Sequence, residues 1–184
     1  MKPPINVPYV ALLRGINVGS HHKVPMPELR KLLENHGFRN VKTLLNSGNV
    51  VFKGAQTEDK ALGQEISQLL EQHFGFPVPI LMRKGEDIQR ILARKPFEKV
   101  ETHKDLRLYV TFLNYMPKEN SPIPWISEDG SFQIIGSSET ELYSTVDISK
   151  SKTTDAMKHL EKSYGKDITT RNWNTLEKIG NLLE

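Results

Sequence analysis

Cysteine is absent from all 184 residues. That one absence removes disulfide staples, thiolate metal sites, thiol nucleophiles and redox switching. Long hydrophobic runs are missing too: no stretch approaches the roughly 20 apolar residues needed to span a bilayer. The first residues, Met1-Lys2-Pro3-Pro4-Ile5-Asn6, lack the apolar core of a signal peptide. A cytoplasmic protein without a membrane partner is therefore expected. Nor is there an excess of one charge. Lys plus Arg number 25 against 22 Asp plus Glu, a net charge of +3, with a pI near 9.0. This gives a mild preference for anionic partners, far below the basicity of a dedicated nucleic-acid binder.

What remains is an ordinary folding composition, 37% hydrophobic and 26% charged, well away from the signature of disorder. The length suits one large domain or two small ones. Tyr9-Val10-Ala11-Leu12-Leu13 is a short apolar run typical of a central strand. Pro25 and Pro27 can start a helix whose Leu29, Leu32 and Leu33 share one face before Gly37 ends it. Residues 41–45 and 50–52 read as two strands joined by a hairpin turn at Asn46-Ser47-Gly48-Asn49. Thr57 is placed to cap a helix with Leu62, Ile66, Leu69, Leu70 and Phe74 along one stripe. Residues 77–82 give one more strand, and its two prolines argue for an edge position. The order is βαββαβ, that of a ferredoxin-like plait.

The second half begins with a short helix around Glu86–Ala93. Leu106–Leu113 alternates like a half-buried strand. Residues 117–130 hold three prolines and room only for a short helix near Trp125. A hairpin over 132–146 and a helix bearing Ala156, Met157, Leu160 and Tyr164 follow. A strand fragment at 168–170 and a last helix over 171–184 close the chain. The expectation is an α+β protein of two tandem ferredoxin-like halves, 1–84 and 85–184, the second with a degenerate first helix and an extra C-terminal one.

In a plait of strand order 4-1-3-2, the loop after the first strand and the hairpin between the second and third emerge at the same end of the sheet. Arg14, Gly15, Asn17, Gly19 and Lys23 would then meet Ser47, Gly48 and Asn49. Glycines let backbone N–H groups approach an anion, Arg14 offers a bidentate fork, and Lys23 a point charge near a helix N-terminus. The spacing fits neither a P-loop nor G-x-G-x-x-G. The glycines and asparagines would equally serve turn geometry alone. Ser47 lacks a G-x-S-x-G elbow and an assignable base. His21 and His22 have no third ligand at metal-binding spacing. No metal and no cofactor is expected. Tyr9 and Phe52 sit on the middle strands where an RNA-recognition domain carries its aromatics, but the signature around 46–53 is missing.

The segments ALLRGINVGS at 11–20, KVPMPELR at 23–30, G-F-x-N-V-x-T at 37–43, SGNVVF at 47–52 and TTRNWNTLEKI at 169–179 resemble a bacterial family of domains of unknown function, number sixteen-ninety-seven in that series. Ser20 departs from the family's usual second glycine, and Leu44-Leu45-Asn46 from its usual tyrosine, isoleucine, glutamine. The resemblance implies the same two tandem halves and no activity. It also implies site roles for Arg14, Gly15, Asn17, Gly19, Ser47, Gly48 and Asn49, and adds Arg171, Asn172, Trp173 and Asn174 at the start of the last helix. There Thr170 or Asn172 would cap, and Trp173 would anchor.

The leading functional expectation is a binding module for a small phosphorylated anion, or for nucleic-acid phosphate, at the 14–23 loop and the 46–49 hairpin. The alternatives are an enzyme on a small phosphorylated or acyl substrate, with Asn17, Ser47 and Asn49 as its polar groups, and a protein–protein adaptor.

Overall fold

The computed structural model describes residues 6–116 and 122–184. They form a mixed α+β protein with two antiparallel sheets and five helices. The chain divides into two compact units. One runs to Ile91 and takes up Glu177–Glu184 again; the other is Leu92–Leu176.

The first unit carries β1 (Val7–Leu13), α1 (Met26–Asn35), β2 (Arg39–Leu44), β3 (Asn49–Gly54), α2 (Asp59–Phe74) and β4 (Ile80–Lys84), followed by α3 (Gly85–Ala93), which crosses its boundary. Sheet order is β2-β3-β1-β4, so the apolar run read as a central strand is central and the proline-led strand lies at an edge. The register places Tyr9 opposite Phe52, and Ala11 between Val50 and Met82. With Leu13 these residues form the core against Leu29 and Leu33 of α1 and Leu62, Ile66 and Leu70 of α2. Val10, Leu12 and Val51, on the opposite face by strand alternation, are buried as well. The Tyr9 hydroxyl donates to the Thr57 carbonyl at 3.0 Å and accepts from its N–H at 2.9 Å, which fixes the entry to α2. Thr57 is therefore not the helix cap: Glu58 occupies that position without a side-chain bond, and the Thr57 hydroxyl turns back to the Ala55 carbonyl. Tyr9 and Phe52 stack at 5.7 Å inside this core, so they are not the exposed aromatics of an RNA-recognition surface.

The second unit carries β5 (Leu106–Leu113), β6 (Trp125–Ile126), β7 (Phe132–Ser137), β8 (Glu141–Asp147), α4 (Thr153–Tyr164) and β9 (Ile168–Asn172), in sheet order β6-β7-β8-β5-β9. Its core joins Leu113, Ile134, Leu142 and Val146 to Ala156, Leu160 and Tyr164 of α4. Trp125 lies in a two-residue edge strand paired with Ile134, not in a helix. Its ring stacks on His159 at 4.0 Å and meets Phe132 edge-on, contacts that strand geometry supplies from one face. The 117–121 part of that stretch lies outside the described residues. The unit boundary falls inside α5 (Trp173–Leu183). Among the described residues, no helix is long and apolar enough to cross a membrane.

Candidate functional site

β1 ends where its two neighbours hold it: Leu13 N–H donates to the Gly48 carbonyl at 2.8 Å, and Arg14 N–H to the Pro79 carbonyl at 3.0 Å. The loop after β1 and the β2–β3 turn, which occupies residues 45–48, thus leave the sheet at one end. Asn17 joins them. Its Oδ1 accepts from Val24 N–H at 2.9 Å, and its Nδ2 donates to the Val24 carbonyl at 3.0 Å and to the Asn46 carbonyl at 2.8 Å. One amide therefore closes the loop on itself and ties it to the turn. Asn17 does this at φ 55°, a left-handed conformation that asparagine tolerates better than most residues.

His22 completes the loop's frame. Its carbonyl accepts from Asn17 N–H at 3.0 Å, its Nδ1 lies 3.3 Å from the Gly15 carbonyl, and its ring stacks on Phe76 at 4.5 Å. Those contacts account for His22 structurally, and no group of three His, Cys, Asp or Glu residues suited to a metal occurs among the described residues. Lys23 Nζ donates to the Gly19 carbonyl at 2.7 Å; an ammonium has three donors, and this bond uses one.

Behind the loop, Asn49 is fully buried at the start of β3. Its Nδ2 donates to the Leu44 carbonyl at 2.9 Å and to Ser47 Oγ at 3.2 Å, bracing the turn from inside. Gly48 is held at φ 83°, and a Cβ there would lie 2.6 Å from Leu13 Cβ and 2.8 Å from Ile16 Cδ1. It is the glycine that the packing itself requires. Gly15 and Gly19 also have positive φ, but the space around them is open. Arg14 is half-buried, while Ser20, His21, Lys23 and Ser47 are exposed.

The structure thus gathers Arg14, Gly15, Asn17, Gly19, Lys23, Ser47, Gly48 and Asn49 at one end of the first sheet. The remaining residues lie in the second unit. Arg171 is in β9, nearly buried, and donates to Thr169 Oγ1 at 2.8 Å and to the Thr170 carbonyl at 3.0 Å. Burial pushes its guanidinium down to about 10, still far above neutral pH, so it remains charged. Asn172 Oδ1 accepts from Asn174 N–H at 3.0 Å and so caps α5, as expected. Trp173 meets Phe97 edge-on at 5.2 Å. Residues that the sequence did not single out are Pro79, whose carbonyl holds Arg14, and Phe76, the platform for His22. Both lie after α2, and only the sheet order brings them here.

The model of the family described as protein of unknown function (DUF1697) matches residues 7–129. Among solved structures, conserved bacterial protein SP0830 from Streptococcus pneumoniae is similar with a TM-score of 0.72 and 24% identity, over 97% of this chain and 99% of that one; the likeness is one of fold. No curated protein matches the chain.

Proposed function

The chain belongs to this DUF1697 family of proteins of unknown function, and from that premise we propose that it is a binding module for a small phosphorylated anion. The anion would sit at the end of the first sheet where the 14–23 loop meets the 45–48 turn. The observation that carries the reading is the Asn17 clamp, because it holds open a loop with residues 15, 17, 19 and 22 at positive φ. Left-handed residues interleaved with others turn successive backbone N–H groups to one side, the pattern of anion-binding concavities. Arg14 adds a fork suited to phosphate, and Lys23 a point charge with donors to offer. The open space beside Gly15 and Gly19 lets a ligand reach the backbone.

Binding is favoured over turnover because the Asn17 and Asn49 amides are engaged with backbone carbonyls. A free phosphate compound is favoured over nucleic acid because Tyr9 and Phe52 are core residues and supply no stacking surface. We take the protein to work in the cytoplasm. We also infer that both units are ferredoxin-like plaits: the first has βαββαβ order with strands 2-3-1-4 across the sheet, and the second repeats that strand order in β7-β8-β5-β9 with β6 added at the edge.

Titration calorimetry with inorganic phosphate, pyrophosphate and a short oligonucleotide tests the reading. Arg14→Ala is expected to weaken phosphate binding by about 10- to 100-fold, the range for loss of a hydrogen bond to a charged group. Absence of binding by the parent, or binding undiminished in the variant, refutes it.

A further inference from the structure

The same end of the first sheet exposes two large aliphatic side chains: Val18 is 73% and Leu45 52% accessible. They are the chain neighbours of Asn17 and Asn46, the two residues joined by the 2.8 Å bond between loop and turn, so one stands on each side of that bond. Leu45 is also held at φ 60°, where the Cβ of an ordinary residue crowds its own backbone and where glycine or asparagine is usual. Core packing does not explain the choice, since the side chain is half in solvent. A strained, exposed leucine at the rim of a candidate site is the kind of feature that function maintains.

The electrostatic surroundings are one-sided. The chain contains no acidic residue before Glu28, none between Glu34 and Glu58, and none between Glu71 and Glu86. The loop after β1, the β2–β3 turn and the Phe76–Pro79 segment all come from those stretches. Arg14, His21, His22 and Lys23 therefore face no carboxylate contributed by the three segments that build this end. Two aliphatic side chains set among cations complement a ligand with an anionic head and an apolar body.

We propose, resting on the anion-binding reading above, that the ligand is a soluble phosphomonoester of an apolar alcohol. Its phosphate would meet the loop backbone, Arg14 and Lys23, and its carbon chain would cover Val18 and Leu45. Methyl, ethyl, butyl and hexyl phosphate, used below their aggregation limits, separate the two parts. Affinity is expected to climb about two- to fourfold for each methylene that reaches the aliphatic side chains, hence about tenfold or more from methyl to butyl phosphate. Val18→Ser and Leu45→Asn, singly and together, are expected to flatten that slope. Asn is chosen at 45 because it accepts the left-handed backbone, so thermal melts should show the variant as stable as the parent or more so.

Binding of all esters with the affinity of inorganic phosphate would overturn the apolar contribution and leave the anion site standing. A slope that persists in the double variant would also overturn it. If neither inorganic phosphate nor any ester binds, both readings fall. Phosphatidylcholine vesicles carrying phosphatidic acid are the second arm: co-sedimentation with them, combined with indifference to the soluble esters, would assign the patch to a lipid surface and overturn the proposal.

Discussion

Single residues at this end of the sheet divide into those that build the site and those that face outward, and substitution can tell them apart. Gly48 builds: a methyl group there must displace Leu13 Cβ and Ile16 Cδ1 and sit at φ 83°. Gly48→Ala is expected to cost about 2 to 4 kcal/mol, combining overpacking with left-handed strain, as read from urea denaturation. Gly15→Ala meets no atom within 4 Å and should cost only the backbone strain, about 1 to 2 kcal/mol. Asn17 builds as well. Asn17→Ala removes all three of its side-chain bonds and is expected to destabilise by about 1 to 3 kcal/mol. Asn17→Asp keeps the acceptor for Val24 N–H and loses both donations, so the difference between the variants isolates the ties to the Val24 and Asn46 carbonyls. Equal melting of Asn17→Ala and the parent would show that the clamp carries no weight. The sequence exposed the identity of these residues but not their division of labour. An amide between glycines reads equally as a ligand group or a turn staple until its partners are known.

At the scale of elements, periodicity reported well wherever an element has a long apolar stripe. β1, α1, α2, β5 and α4 stand where their patterns put them, because each buries one face against a large core. It failed where tertiary contacts or a short turn decide. β6 is two residues long, too short for any period, and the turn joining it to β7 is held by one carboxylate. Asp129 Oδ1 accepts from Ser127 Oγ at 2.6 Å, Ser131 Oγ at 2.7 Å and Ser131 N–H at 3.0 Å. The Ser127 hydroxyl, then the Ser131 N–H and hydroxyl, hold this carboxyl down to about 2 from its ordinary 3.8. A depressed folded-state pKa means stabilisation that is complete above the unfolded value and lost as pH falls toward the folded one. The turn should therefore be intact above about pH 4 and loosen between about pH 4 and 2. Amide exchange at Ser131 and Phe132 measures this, and Asp129→Asn should remove the dependence. Unchanged protection across that interval would show that the strand pairing, not the carboxylate, holds the turn. Thr57 failed for a related reason: the Tyr9 hydroxyl, 48 residues away in the chain, takes its backbone, a partner no local reading can supply.

Across the whole molecule, the least legible feature is which unit the final helix serves. Its apolar positions, Trp173, Leu176, Ile179 and Leu183, form one clean stripe, yet residues 177–184 group with the unit that ends at Ile91. Three contacts within that unit explain why. Gln89 Nε2 donates to the Gly180 carbonyl at 3.1 Å, and Lys42 Nζ to the Leu182 carbonyl at 3.2 Å. At Gly85 an added Cβ would fall 3.0 Å from both Leu183 Cδ2 and Pro8 Cβ. Ile179 is fully buried, and burial of one such side chain contributes about 1.5 to 3 kcal/mol, a large share of a stability that is roughly 5 to 15 kcal/mol for a whole domain. A chain ending at Leu176 should therefore lose protection selectively. Hydrogen exchange is expected to quicken in β1 and β3 much more than in β5 and β8, and a peptide of residues 173–184 added in trans should restore it. Because β1 ends at the loop that Asn17 clamps, phosphate affinity should fall with the truncation and return with the peptide. Equal quickening in both sheets would mean that the last turns stabilise the molecule as one cooperative body. No quickening at all would reduce them to an ornament of the first unit.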